Sequence, residues 1–143
     1  MKLFTIGFTK TTARHFFERL RGSGARLLAD VRLNNVSQLS GFAKRDDLSW
    51  FTGELTGMSY RHLPQLAPTQ GMLDRYKKER GEWSAYAADF LQLMRERRVE
   101  ANDPASLDGA CLLCSEDLPH YCHRRLVAEY LRDHWPGVEI VHL

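Results

Sequence analysis

The stretch 109–125, GACLLCSEDLPHYCHRR, concentrates the residue types that could carry out chemistry. It begins as an apolar run that ends at Cys114, turns polar at Glu116, and then enters a helical pattern that carries Cys122 and His123. An apolar run that ends in acidic residues and leads into a helix is typical of a buried parallel strand and its crossover helix. Because ligands of open α/β sheets bind outside the carboxyl ends of such strands, this stretch predicts a functional site.

The three cysteines have different expected roles. Cys111 and Cys114 have CxxC spacing, but positions three apart in a strand point to opposite faces, so these two thiols are not expected to share an ion. Cys111 is interpreted as a small buried hydrophobic residue. Cys122 is expected in the first turn of the following helix, beside His123, where a helix N-terminus lowers the pKa of a thiol. Cys122 is therefore the candidate nucleophile or redox thiol, and His123 would orient it. Cys114 is the thiol expected to lie beside Cys122, and it is a candidate ligand-binding residue.

Charged side chains accompany the predicted strand ends. Glu116 directly follows a strand and is a candidate acid–base group. Asp30 and Arg32 close an earlier strand, and they form either a catalytic acid with an anion-binding group or a structural ion pair. Arg124 is expected in the first turn of a helix, where a cation is unfavourable with the helix dipole, so its expected partner is the Glu116 carboxylate or an anionic ligand. Together with helix N-terminal amides, these cations suit a phosphate or carboxylate.

Strands and helices are predicted to alternate along the chain. Strands are expected at 2–7, 26–31, 58–63, from about 109, and at 138–143. Helices are expected from an N-cap at Thr11 or Thr12 to about 22, from 46 or 47 to 55, from 72 to 98, and from Pro119 or His120 to about 135. Segments 33–41 and 65–71 are assigned no regular structure. This alternation predicts an α/β fold: a single three-layer domain over residues 1–143, with a mostly parallel five-stranded sheet and helices on both faces.

Parallel strands direct their carboxyl ends to one edge of the sheet, so the residues that follow each strand should converge there. Thr9 follows the first predicted strand, and His62 lies at the end of the third. Both are therefore added to the candidate ligand-binding residues. His62 also fits a core histidine whose hydrogen bonds are satisfied within the protein.

The amino-acid composition and net charge bear on whether the protein binds nucleic acid or a membrane. The chain has 143 residues, of which 43% are hydrophobic and 27% charged, as in ordinary soluble globular proteins. A net charge of +2 does not by itself indicate nucleic-acid binding, although it leaves nucleic acid open as a partner. No apolar run approaches the roughly 18 residues of a transmembrane helix, and no signal-peptide pattern opens the chain. We therefore expect no membrane association, a cytoplasmic location and, because the cysteine count is odd, reduced thiols.

Five short motifs, in this order and spacing, resemble the domain of unknown function 488 family: Thr5-Ile6-Gly7, Asp30-Val31-Arg32, Tyr60-Arg61-His62-Leu63-Pro64, Leu112-Leu113-Cys114-Ser115-Glu116 and Cys122-His123-Arg124. Two short segments depart from the family pattern. The chain has Phe8-Thr9 where the family usually has His-Ser, and Asn34-Asn35 where it usually has a proline. The resemblance implies an α/β fold, a site at these motifs and different ligand contacts in the first site loop. It implies no particular activity.

The leading interpretation is a small α/β enzyme that acts on a phosphate-bearing ligand, a nucleotide or nucleic-acid component, at the carboxyl edge of the sheet. Arg32 and Arg124 would hold the anion. Glu116 or Asp30 would serve as the acid–base group, and Cys122 as the nucleophile or redox thiol.

Two alternatives use the same residues. The first is a ligand sensor without catalysis. The second is a metal- or redox-responsive thiol protein, in which Cys114 and Cys122 bind an ion or form a reversible disulfide. A zinc site would use Cys114, Cys122 and His123, with His120 as a further ligand, but no CxxC or HxxxH spacing supports it. The leading interpretation therefore contains no metal, and no cofactor is assigned.

Overall fold

A computed structural model of the chain shows a five-stranded sheet in which every neighbouring pair of strands is parallel. The structure describes residues 1–36 and 40–143. Within them the strands are β1 (Lys2–Gly7), β2 (Leu27–Asp30), β3 (Ser59–His62), β4 (Ala110–Cys114) and β5 (Glu139–His142). Their order across the sheet is β3-β2-β4-β1-β5. The predicted α/β class with a mostly parallel sheet is confirmed.

Five α-helices connect the strands in the described part of the chain: α1 (Ala13–Ser23), α2 (Arg45–Thr56), α3 (Gln70–Leu73), α4 (Trp83–Arg97) and α5 (His123–His134). Phe16 of α1 and Leu48 of α2 pack in a hydrophobic cluster on one face of the sheet. Phe90 of α4 and Val127 of α5 pack in a second cluster on the other face. The three predicted layers are therefore present. None of the described helices is long and apolar enough to cross a membrane.

The apolar run of β4 reflects the burial of both faces of the sheet by helices. Cys111 and Leu113 belong to the cluster beneath α1 and α2, whereas Ala110 and Leu112 belong to the cluster beneath α4 and α5. A strand buried on both faces reads as a continuous apolar sequence, because successive side chains point to opposite sides. This alternation separates Cys111 from Cys114, as predicted.

Several element boundaries differ from the sequence prediction. Helix α1 begins as expected, with the Thr12 hydroxyl accepting a hydrogen bond from the His15 amide. The last helix begins at His123 instead of residue 119 or 120, because the preceding residues form a turn in which the Cys122 amide bonds the Pro119 carbonyl. The predicted helix 72–98 is not continuous, because α3 ends at Leu73 and α4 begins only at Trp83. Short helical turns at Gly41–Ala43 and Pro64–Leu66 overlap the ends of the segments assigned no structure. Residues 37–39 of the predicted polar loop lie outside the described residues.

The strand order creates a crevice between β2 and β4. The connection after β2 runs through α2 on one face to β3, whereas the connection after β4 runs through α5 on the other face to β5. Two neighbouring strands whose connections leave in opposite directions form a topological switch point, where ligands of α/β sheets bind. The fold therefore places a crevice between the residues that follow β2 and those that follow β4.

Candidate functional site

A cavity of about 250 Å³ occupies this crevice. Its walls come from four segments: the loop after β2, the loop after β4, the start of α5, and the segment from Pro68 to α4. The lining side chains are Arg32, Leu33, Asn34, Pro68, Leu73, Tyr76, Lys77, Tyr86, Cys114, Ser115, Glu116, Tyr121, Cys122 and His123. This volume is slightly below the roughly 300–1,000 Å³ of typical small-molecule sites, and the mixture of apolar, aromatic and polar lining residues is the one that such sites have.

The structure brings together most of the predicted site residues, but not all of them. Those that line the cavity are Arg32, Cys114, Glu116, Cys122 and His123. Those that do not line it are Asp30, Arg124, Thr9 and His62.

Two thiols and an imidazole form a buried cluster in this wall. The Cys114 and Cys122 sulfurs and a His123 ring nitrogen all lie within 4.8 Å of one another. The Cys114 sulfur is 3.4 Å from Nδ1 of His123. Nε2 of the same ring lies 2.6 Å from the Val31 carbonyl oxygen. Because a carbonyl only accepts hydrogen bonds, Nε2 must carry the proton, and Nδ1 faces the two sulfurs.

The lowered thiol pKa falls on Cys114, so its assignment to Cys122 was wrong. Burial opposes ionisation of Cys114, but a hydrogen bond from the Cys122 thiol and the positive charge of Arg124 outweigh it and lower the Cys114 pKa. Backbone amides of the loop after β4 act in the same direction. Burial raises the pKa of Cys122, and the hydrogen bond to Cys114 and the charge interaction with it raise this pKa further. The physical reason is that the Cys122 thiol makes no capping hydrogen bond to α5 and instead donates to Cys114, so Cys114 is the hydrogen-bond acceptor of the pair.

Asp30 forms a buried ion pair with Arg32, which is the structural alternative that the sequence left open for these two residues. The carboxylate accepts two hydrogen bonds of 2.8 Å from the Arg32 guanidinium, and further ones from Asn35 and Tyr60. Burial opposes the Asp30 charge, but these donors lower its pKa. A fully buried carboxylate that is held ionised by so many donors neither reaches a ligand nor exchanges a proton near neutral pH.

Arg124 holds the loop after β4 and does not line the cavity. Its guanidinium donates hydrogen bonds to the backbone carbonyl oxygens of Glu116 and Asp117. The side chain is fully buried. The cation at the start of α5 therefore has partners, as the helix-dipole reasoning required, but they are carbonyl oxygens instead of a carboxylate or a ligand.

Arg124→Met is expected to lower the free energy of unfolding by about 2 kcal/mol, near the value of one hydrogen bond to a charged group. The loss is limited because the substitution also removes the Nε–H of Arg124. This donor is buried and has no hydrogen-bond partner within the described residues, so its removal offsets part of the cost. Arg132→Met is the control, since Arg132 is an exposed cation of the same helix. Urea denaturation of both variants measures the difference, and equal stability would contradict the bracing role of Arg124.

Thr9 and His62 also serve the structure at their strand ends. The Thr9 amide donates a hydrogen bond to the Ser115 carbonyl and ties the loop after β1 to the loop after β4. Nε2 of His62 lies 2.8 Å from the Arg32 carbonyl oxygen. Neither residue lines the cavity, and their role as ligand-binding residues stays a prediction.

A comparison with protein families identifies the chain. The family model described as Domain of unknown function DUF488 matches residues 12–131. The chain belongs to this family. The match includes four of the five motifs and begins after Thr5-Ile6-Gly7. No curated protein and no solved structure matches the chain. The DUF488 assignment thus agrees with the fold and adds no activity, so function has to be argued from the cavity.

One wall of the cavity lies away from every strand end and was not predicted from the sequence. Tyr76 and Lys77 lie in the π-helical turn before α4, and Tyr86 lies in α4 itself. The Lys77 ammonium forms a 3.0 Å ion pair with the Glu116 carboxylate. These residues belong to a crossover connection that passes over the crevice, so no strand ends near them in the sequence. Neither aromatic periodicity nor the Lys77-Lys78 pair distinguishes them from an ordinary helix surface.

Proposed function

We propose that the cavity binds an anionic, phosphate-bearing small molecule such as a nucleotide, and that the protein is an enzyme that acts on this ligand. The observation that carries the proposal is an unused cationic donor on the cavity wall. Arg32 is 2% exposed, and its Nε and Nη2 atoms bond Asp30. Its Nη1 is buried and has no hydrogen-bond partner among the described residues. Guanidinium groups are well suited to phosphate oxygens.

Lys77 and the tyrosines support the same class of ligand. Lys77 brings a second cation to the cavity, where a phosphate can share it with Glu116. The tyrosines at positions 76, 86 and 121 supply aromatic surface to the cavity. Aromatic side chains next to cations favour a ligand that joins a flat ring to a phosphate, as nucleotides do.

Glu116 takes the acid–base role in this proposal. It lines the cavity with its side chain partly exposed, whereas Asp30 is buried behind Arg32. A ligand held by the two cations lies next to this carboxylate and against the Cys114–His123 cluster. A cytoplasmic location, which we propose from the three free cysteines, would keep those thiols reduced.

The first test measures binding by thermal shift against inorganic phosphate, pyrophosphate and the mono- and triphosphates of adenosine and guanosine, at matched ionic strength. A compound at 100 times its Kd stabilises the fold by about 2.7 kcal/mol, which raises Tm by several degrees. Lys77→Met is expected to weaken binding about tenfold, equivalent to about 1.4 kcal/mol. Lys78→Met is the matched control, since Lys78 pairs with Asp74 and lies outside the cavity wall.

Glu116→Gln then separates catalysis from binding. This variant should bind the phosphate compound as tightly as the unmodified protein, because it keeps the shape of the wall and removes a negative charge. It should leave that compound unconverted, as followed by chromatography and mass spectrometry. Binding without turnover by either protein would indicate a sensor instead of an enzyme. A panel in which no compound binds would refute the anion site.

A further inference from the structure

We infer that Cys114, Cys122 and His123 bind a thiophilic divalent metal ion, and that Zn²⁺ is the ion the site takes. This inference deepens the proposed function, since the three donors line the same cavity. It adds a metal to a site whose residues would otherwise act only as a nucleophile or a redox pair.

The spacing of the donor atoms fits a tetrahedral ion. With Zn–S of about 2.3 Å and Zn–N of about 2.0 Å, a tetrahedral centre places a sulfur and a nitrogen ligand about 3.5 Å apart and two sulfurs about 3.8 Å apart. The Cys114 sulfur lies 3.4 Å from Nδ1 of His123. All three donor atoms lie within 4.8 Å of one another, so small side-chain rotations bring them around one ion.

The hydrogen bonds around the cluster prepare it for a metal. The Nε2–H of His123 points at the Val31 carbonyl, 2.6 Å away, and this fixes the tautomer that leaves the Nδ1 lone pair free. Histidine ligands of metals almost always make this second hydrogen bond. The ring also packs against Phe90, with the two centroids 5.4 Å apart, which holds its orientation.

The position of the cluster gives the ion an open coordination site. All three donors are at least nine-tenths buried, yet each also lines the cavity. Three protein ligands with one position open to water or substrate are the arrangement of catalytic zinc, whereas structural zinc has four protein ligands. His120, the further ligand considered from the sequence, is exposed and lies outside the group. The fourth ligand is therefore solvent or an oxygen of the bound anion.

The donor set selects the kind of ion. Two thiolates and an imidazole favour Zn²⁺ over the hard cations Mg²⁺ and Ca²⁺, which require oxygen ligands. On binding, each thiol gives its proton to solvent and forms a metal–sulfur bond, so the ion replaces the hydrogen bond from Cys122 to Cys114. No change in oxidation state is involved.

The test uses the whole protein, stripped with a chelator, kept reduced with a phosphine and titrated with ZnCl₂ against a chromogenic chelator. We expect one Zn²⁺ per chain, confirmed by native mass spectrometry. Loading with Co²⁺ should give a thiolate-to-cobalt charge-transfer band in the near ultraviolet, with the intensity of two thiolate ligands. Because this band is measured on the unmodified protein, it tests the ligand set even if a variant fails to fold.

Cysteine substitutions identify which side chains bind the ion. Cys114→Ser and Cys122→Ser should each weaken Zn²⁺ binding more than about 100-fold, beyond the loss caused by removing a second-shell partner. Cys111→Ala is the control and should bind as the unmodified protein does, since Cys111 lies on the opposite face of β4. Absence of the cobalt band, or equal Zn²⁺ affinity in the double serine variant, overturns the inference. Zn²⁺ binding without any phosphate response refutes the proposed function alone, and a phosphate response without Zn²⁺ binding refutes the metal alone.

Discussion

Asp30→Asn is expected to lower the free energy of unfolding by about 3–5 kcal/mol, because it leaves the Arg32 cation buried without a counter-charge. Both side chains are almost completely inaccessible, at 0% and 2% exposed. The amide can accept one hydrogen bond from the guanidinium, but its NH₂ group then faces the remaining donors. Urea denaturation with a shared m-value measures the loss.

Asp46→Asn is the matched control for this ion pair. The Asp46 carboxylate forms an ion pair with Arg45, with Oδ1 3.0 Å from Nε, but both side chains are exposed. Exposed ion pairs contribute little to stability. We therefore expect this variant to unfold at the same urea concentration as the unmodified protein. If Asp30→Asn behaved in the same way, the buried pair could not be the element that fixes the loop after β2.

The pH dependence of the Asp30 variant has a definite sign. Hydrogen bonds from Arg32 and Tyr60 lower the pKa of this carboxyl in the folded state, against the effect of burial. A depressed pKa stabilises the fold above the unfolded-state pKa of about 3.9, and this contribution is lost as pH falls through the folded-state value. The stability difference between the two proteins should therefore be constant from pH 8 to pH 5 and shrink only in more acidic solution.

The sequence was sufficient to predict which edge of the sheet carries the cavity, because one geometric rule governs its place. Apolar runs locate the strands, and parallel strands bring the residues that follow them to one edge. That rule places Arg32 around the same cavity as Cys114 and Glu116, and the start of α5 supplies Cys122 and His123. The rule uses only the order of strands and helices, so errors of a few residues at helix ends did not affect it.

The roles of the charged residues could not be predicted in the same way. Asp30 and Arg124 lie at strand and helix ends like the true wall residues, and only tertiary packing shows that their partners are protein groups. Burial decides between a structural and a functional charge, and neighbouring residues in sequence do not determine burial. The wall that contains Lys77 was missed for a related reason, since a crossover segment reaches the crevice from a distant part of the chain.

Gly7→Ala is expected to destabilise the protein by about 3 kcal/mol or more, above the usual range for overpacking. A Cβ atom at this position would lie 1.6 Å from the Glu116 carbonyl oxygen, which is far inside van der Waals contact. That oxygen accepts a hydrogen bond from Arg124, and its carbonyl carbon would be only 2.6 Å from the same Cβ. The backbone must move on one side or the other, since no side-chain rotation relieves the contact.

Gly22→Ala separates this contact from the general effect of adding a methyl group. Gly22 lies within α1 with no atom within 4 Å of an added Cβ, so its replacement should stabilise the helix by about 0.5–1 kcal/mol. Urea denaturation should therefore move the two variants in opposite directions. A Gly7→Ala protein within 1 kcal/mol of the unmodified one would show that the end of β1 does not press against the loop after β4. The expected loss would instead show that this loop, which follows Cys114 and carries Glu116, is positioned by backbone contact with β1, so that the cavity wall depends on a glycine that does not line the cavity.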